Sequence, residues 1–134
     1  MAGHNAIGRG PDSADTSDAA LDAAYWLAWQ HQTLIAVTGE VDYVTDGESC
    51  WSIPWGDRLM TRVVGTGCAL SAVVAGFCTE SANPLNSSAA ACAVMALAGE
   101  HAAKHSNGPG SFVPLFLDTL YQMRPDNLET YVHD

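Results

Sequence analysis

The residues best placed to do chemistry are Gly65-Thr66-Gly67-Cys68, which run directly into Ala69-Leu70-Ser71. Two glycines flank one residue, and a helical pattern begins at once. Glycines let a backbone turn its N–H groups inward, and a helix N-terminus adds a positive end. Such a turn can hold an anion without any lysine. Cys68 falls in the first helical turn, where the dipole favours the thiolate. A group so placed could take a proton from a hydroxyl attacking a phosphate. The same spacing also suits a tight connection with a cysteine as core filler. A second candidate is Thr38 in Val37-Thr38-Gly39, at the end of an apolar run. Ligands of open α/β sheets sit beyond the carboxyl ends of strands, where Thr38 could offer a hydroxyl to a nucleotide phosphate.

Other constellations read more simply. Asp42 and Asp46 could share a metal, but they flank a hairpin signal and are more readily turn formers. Gly108-Pro109-Gly110-Ser111-Phe112 resembles a nucleotide-edge loop and equally a helix-to-helix connection, which is the preferred reading. His101 and His105 share a helix face at i, i+4 with only Glu100 as an acidic neighbour, so a solvated face is expected.

The elements that must position these residues alternate between helix and strand. Residues 1–16 read as loop. Thr16 or Ser17 can cap a helix over 18–31, with Leu21, Ala24, Tyr25 and Ala28 at helical spacing. Residues 33–38 (TLIAVT) lack alternation and predict a strand buried on both faces. Runs at 41–45 and 48–53 around Asp46-Gly47 predict a hairpin. A turn follows at 54–57. The helix opening near Cys68 is apolar almost all round, which predicts burial. Asn83-Pro84 ends it, and Pro84 opens a helix over about 85–104. A last helix over about 112–122 has Ser111 as its natural N-cap. The tail from Arg124 is polar and expected to be loose. Together these predict a three-layer α/β fold with helices on a mainly parallel sheet.

The totals bound the partners. The 134 residues suit one domain. Five Lys and Arg against 15 Asp and Glu give a formal charge of −10, which argues against nucleic acid and anionic membrane. A phosphate site must then rely on backbone N–H groups, a metal, or basic residues from elsewhere. The four cysteines form no C-x-x-C pair, and Cys78 and Cys92 lie in apolar runs, so free thiols and no zinc site are expected. Residues 1–13 lack a charged start with an apolar run, and 89–99 is too short to cross a bilayer. A cytoplasmic protein without a signal peptide is the expectation.

Four segments, VTGEVDYVTDG (37–47), MTRVVGTGCALSAVVAGF (60–77), AGEHAA (98–103) and GPGSFVPLFLDTLY (108–121), resemble hydroxyethylthiazole kinase, a member of the ribokinase-like superfamily. Order and spacing fit from about Gly8 to Tyr121, and VVGTGCALSAV is the most specific block. Most of that superfamily has Asp where this family has Cys. The resemblance implies a partial ribokinase-like fold and ATP-dependent phosphorylation of 4-methyl-5-(2-hydroxyethyl)thiazole in thiamine biosynthesis or salvage. It implies that Thr38 contacts ATP, that Gly65 contacts the thiazole, and that Gly65, Thr66, Gly67 and Cys68 form the anion hole. Cys68 takes the base position. Mg²⁺ accompanies ATP, and the family is typically a trimer with sites between subunits.

Family chains begin with a long N-terminal half that has no counterpart here, and Met1-Ala2-Gly3 falls where they are already midway. The chain therefore reads as the C-terminal part of the kinase domain, with loop 1–16, core 17–123 and tail 124–134. Half a site predicts little or no turnover, because phosphoryl transfer depends on positioning and charge stabilisation. The alternative is a non-catalytic module that binds nucleotide or pairs with a complementary half. A redox role for Cys68 is weaker, since no resolving cysteine is near in sequence. An exposed sheet edge would favour oligomerisation or poor solubility.

Overall fold

A computed structural model describes residues 17–79 and 81–132. The loop expected over 1–16 lies outside them. Helix α1, Ser17–His31, buries Ala24 and Ala28 one turn apart, so its small side chains let it lie close on the sheet. Trp26 and Trp29 face outward. The helix stops at Gln32, whose φ of +47° is left-handed, and Thr33 N–H closes onto the Ala28 carbonyl at 3.1 Å. This is a Schellman-type ending with glutamine in the usual glycine position.

Strands β1 (Ile35–Val37), β2 (Asp42–Thr45) and β3 (Cys50–Ile53) form one sheet in the order β1-β2-β3. Both pairings are antiparallel, with Ala36 opposite Val44 and Val44 opposite Trp51. The expected mainly parallel sheet is not what these strands build. Only four residues separate each strand from the next. A parallel crossover needs a dozen or more, so the connections permit hairpins alone. Nor is β1 buried on both faces, because it is an edge strand with Ala36 exposed. The hairpin expected around Asp46-Gly47 is present. The Asp46 carboxylate accepts the N–H groups of Ser49 and Glu48 at 2.7 and 2.9 Å, bonds that hold its pKa below the ordinary carboxylate value.

The sheet lies between α1 and the long helix α3, Pro84–His105. Thr45 and Tyr25 face each other on the α1 side. Val44 and Ile53 pack with Ala89, Cys92 and Ala96 on the other. Asn83 caps α3 by accepting the Asn86 N–H at 3.1 Å, and Pro84 sits in its first turn as expected. Ten of its residues are buried, five of them alanine, so it can be approached from several sides. All four cysteines are free. Cys92 is buried, and desolvation together with the nearby Asp42 carboxylate pushes its thiol up to about 11. Cys78 is only partly buried, with its sulfur 3.3 Å from the Ser88 hydroxyl.

Helix α2, Thr66–Cys78, departs most from expectation. None of its residues is buried, although the helix is apolar almost all round. Its neighbour is α3, and one neighbour covers one face. Leu70, Val73 and Val74 turn inward, while Ala72, Ala75 and Phe77 stay exposed.

Helix α4, Pro109–Gln122, starts earlier than expected, because Gly108 supplies the cap and Pro109 the first turn. Ser111 therefore lies inside the helix, where its hydroxyl accepts the Asn107 N–H at 2.9 Å. Phe112 and Phe116 stack at 5.6 Å between centroids in the core beside Met95 and Ala98. The tail expected to be loose forms a short helix, α5 (Leu128–Val132), and Tyr131 meets the His101 ring edge-on at 5.1 Å.

Candidate functional site

Between β3 and α2 the chain makes the turn expected over 54–57 and then a 3-10 helix, Arg58–Arg62. Asp57 caps it, its carboxylate accepting the Leu59 N–H at 2.7 Å. Leu59, Met60 and Val63 press this segment onto the core. The chain then emerges at Val64, which is fully exposed.

Gly65 is the N-cap of α2, with φ +99° in the left-handed region that glycine alone adopts cheaply. The first helical bond runs from the Ala69 N–H to the Gly65 carbonyl at 2.8 Å. The amides of Thr66, Gly67 and Cys68 precede it and have no intrahelical acceptor. No side chain caps them. A Cβ built on Gly65 or Gly67 would meet nothing within 4 Å, so the turn faces open space. Cys68 is exposed beside it.

The structure thus brings Gly65, Thr66, Gly67 and Cys68 together as a row of free amides next to a thiol. Thr38 is exposed just past the carboxyl end of β1, as expected, but shares no hydrogen bond with residues 65–68 among the described residues. The neighbouring Gly39 N–H is taken by the Asp42 carboxylate at 3.0 Å. Burial raises the Asp42 pKa above the ordinary carboxylate value, partly offset by that bond. Asp42 and Asp46 are therefore turn formers, as the sequence suggested. Gly108–Ser111 is the cap and first turn of α4, and the α3–α4 connection is 106–108. His101 and His105 lie ring against ring, 4.3 Å between centroids, on α3.

Among the described residues, Gly65 and Gly67 look onto open space. Two open hollows of about 290 and 400 Å³ lie elsewhere, between the hairpin turn and the start of α3, and share Asp46, Asn83 and Leu85. Two features escaped the sequence reading. Arg58 and Arg62, two of the five cations, are exposed on the 3-10 helix that feeds Gly65. Their clustering in so acidic a chain was the available signal. The Thr66 hydroxyl also donates to the Met60 carbonyl at 3.1 Å, a contact across six residues that no spacing rule announces.

The chain is thus an α/β protein whose glycine-opened helix presents bare amides, an arrangement that in other proteins can hold an anion. Known proteins narrow this. A solved hydroxyethylthiazole kinase structure from Pyrococcus horikoshii OT3 matches with a TM-score of 0.77 at 32% identity, covering 86% of this chain and 46% of that one. The hydroxyethylthiazole kinase from Serratia proteamaculans (strain 568) is 57% identical over 129 residues, 96% of this chain and 49% of the relative. That of Pectobacterium carotovorum subsp. carotovorum (strain PC1) is 62% identical over 128 residues, 96% and 48%. The model of the hydroxyethylthiazole kinase family matches residues 1–126, and the chain belongs to that family. It spans about half the length of these relatives.

Proposed function

We propose that this chain carries the phosphate-side, C-terminal portion of an ATP-dependent kinase for 4-methyl-5-(2-hydroxyethyl)thiazole. One observation carries the reading. In a chain of this family, Gly65 opens α2 so that three unpartnered amides face open space beside the exposed Cys68 thiol. Those amides suit the oxygens of a phosphoryl group in transit, whose negative charge is spread over three positions. Cys68 stands where the attacking hydroxyl would give up its proton, and Gly65 where the thiazole would lie. Thr38 would hold ATP from the end of β1. The family setting adds thiamine salvage, a cytoplasmic location and a trimer.

ATP fits this donor set, because amides and a hydroxyl bind phosphate oxygens without needing a carboxylate. Among the described residues, no ligand set fits a protein-held Mg²⁺. No group of three or more His, Cys, Asp and Glu is arranged to hold a metal among the described residues, and Asp42 and Asp46 are occupied by backbone amides. Any magnesium would arrive on the nucleotide.

The test is ATP-dependent phosphorylation of hydroxyethylthiazole by the chain alone and mixed with the N-terminal half of the Serratia relative. Little or no turnover is expected alone, and turnover in the mixture. Cys68→Ala should then lower kcat about 10²–10⁴-fold. An unchanged rate in that variant removes Cys68 from the base position, and full activity of the chain alone refutes the half-site argument. A second reading, nucleotide binding without turnover, is favoured by the lack of any wall opposite Gly65 and Gly67. It predicts saturable ATP binding by calorimetry and no product in the mixture.

A further inference from the structure

We infer that Thr66 is a positioning residue: its side chain, acting through the Met60 carbonyl, fastens the amide turn at 65–68 to the protein core. The inference rests on the reading of those amides as a phosphate cradle and adds what holds them in register.

The turn has little else to fix it. Gly65 and Gly67 have no side chains, no side chain caps α2, and Cys68 is exposed. Thr66 alone among the four is partly buried. Its hydroxyl donates to the Met60 carbonyl at 3.1 Å. Met60 is itself held at both ends. Its N–H bonds to the Asp57 carbonyl at 3.0 Å, within the turn that Asp57 caps. Its thioether lies over Gly99 of α3, so closely that a Cβ there would stand 2.9 Å from both Cγ and Cε. Gly99 is buried on the central helix. The line from core to cradle therefore runs Gly99, Met60, Thr66. A preorganised set of donors binds phosphate better than one that must first be ordered. Serine keeps the hydroxyl, whereas valine keeps the shape and loses the donor, which separates fastening from packing.

The test is a titration of the ¹⁵N-labelled chain with inorganic phosphate, following the amide signals of Thr66, Gly67 and Cys68, together with amide hydrogen exchange. Saturable shifts are expected in the unmodified chain. Thr66→Ser should match it within about twofold. Thr66→Val should bind about five- to tenfold more weakly, the equivalent of one lost hydrogen bond. Exchange should quicken at Ala69, whose N–H bonds to the Gly65 carbonyl, and stay unchanged in α3 and α4. If the valine variant binds phosphate as the unmodified chain does, the fastening role is wrong and the cradle stands. If the unmodified chain shows no response at these amides, the cradle reading falls and the inference with it.

Discussion

Gly47 shows how much one hydrogen atom in place of a methyl can carry. It sits in the β2–β3 turn at φ +94°, and a Cβ there would lie 2.5 Å from the Trp29 nitrogen and 2.7 Å from its Cα. Those are backbone atoms of α1 and cannot swing aside. Left-handed strain and overpacking therefore add, and Gly47→Ala should cost about 3 kcal/mol in a urea melt. A variant within 0.5 kcal/mol of the parent, on the order of a neutral surface change, would mean that α1 is free to lift off the hairpin. Gly65 is a different case, because its φ is equally positive but its surroundings are empty. Asp46-Gly47 announced a turn in the sequence because that pair has a local conformational reason to turn. The approach of Trp29 was not legible, since it depends on how α1 docks some 18 residues away in sequence.

At the scale of elements, the interface between the sheet and α3 contains an acid where an apolar residue would be ordinary. Asp42 shares its strand face with Val44 and lies near Cys92, and burial raises its proton affinity in the folded state. The folded protein then holds a proton that the unfolded chain has released, so stability falls as pH rises through this window. That contribution is complete below the ordinary carboxylate value of 3.8 and is lost as pH climbs past the raised one. Asp42→Asn can still accept the Gly39 N–H but has nothing to ionise. Its melting temperature should draw ahead of the parent as pH is raised from 3.5 toward 7, with little difference at the acid end. A constant gap across that range would show that Asp42 ionises as freely folded as unfolded.

Helix limits were largely legible, because Pro84 and the run after Ser17 carry their own start signals. Two assignments were not. Sheet direction was read from the apolar run at 33–38, which describes burial and says nothing about pairing, whereas connection length decided it. The burial of α2 was read from composition. A helix can be apolar all round and still be covered on one side, since coverage depends on how many neighbours the chain supplies. The glycine turn before Cys68 was legible because its conformation is local. The bond from Thr66 to Met60 is a tertiary fact.

For the molecule as a whole, charge and surface pull in opposite directions. A formal charge of −10 keeps copies apart, yet Trp26, Trp29, Phe77, Leu117 and Tyr121 are all substantially exposed. Repulsion between like-charged copies is screened over about 8 Å at physiological salt, whereas apolar contact is not. Light scattering should therefore find association that grows as sodium chloride is raised from 20 to about 300 mM, with the Debye length shrinking accordingly. A monodisperse monomer across the series would show that these side chains are too scattered to cooperate.

The alanines of α3 also decide how this protein can change over time. Ala91, Ala98 and Ala102 have no exposed surface, and the sheet, α2, α4 and α5 come to rest on the helix that carries this column of single methyl groups. A spine built from the smallest β-carbon side chain has no slack to give, because any enlargement must displace a neighbour and not merely re-rotamer itself. Sequence drift is thus channelled to the outward surfaces, while the middle of the domain stays bound to one residue size.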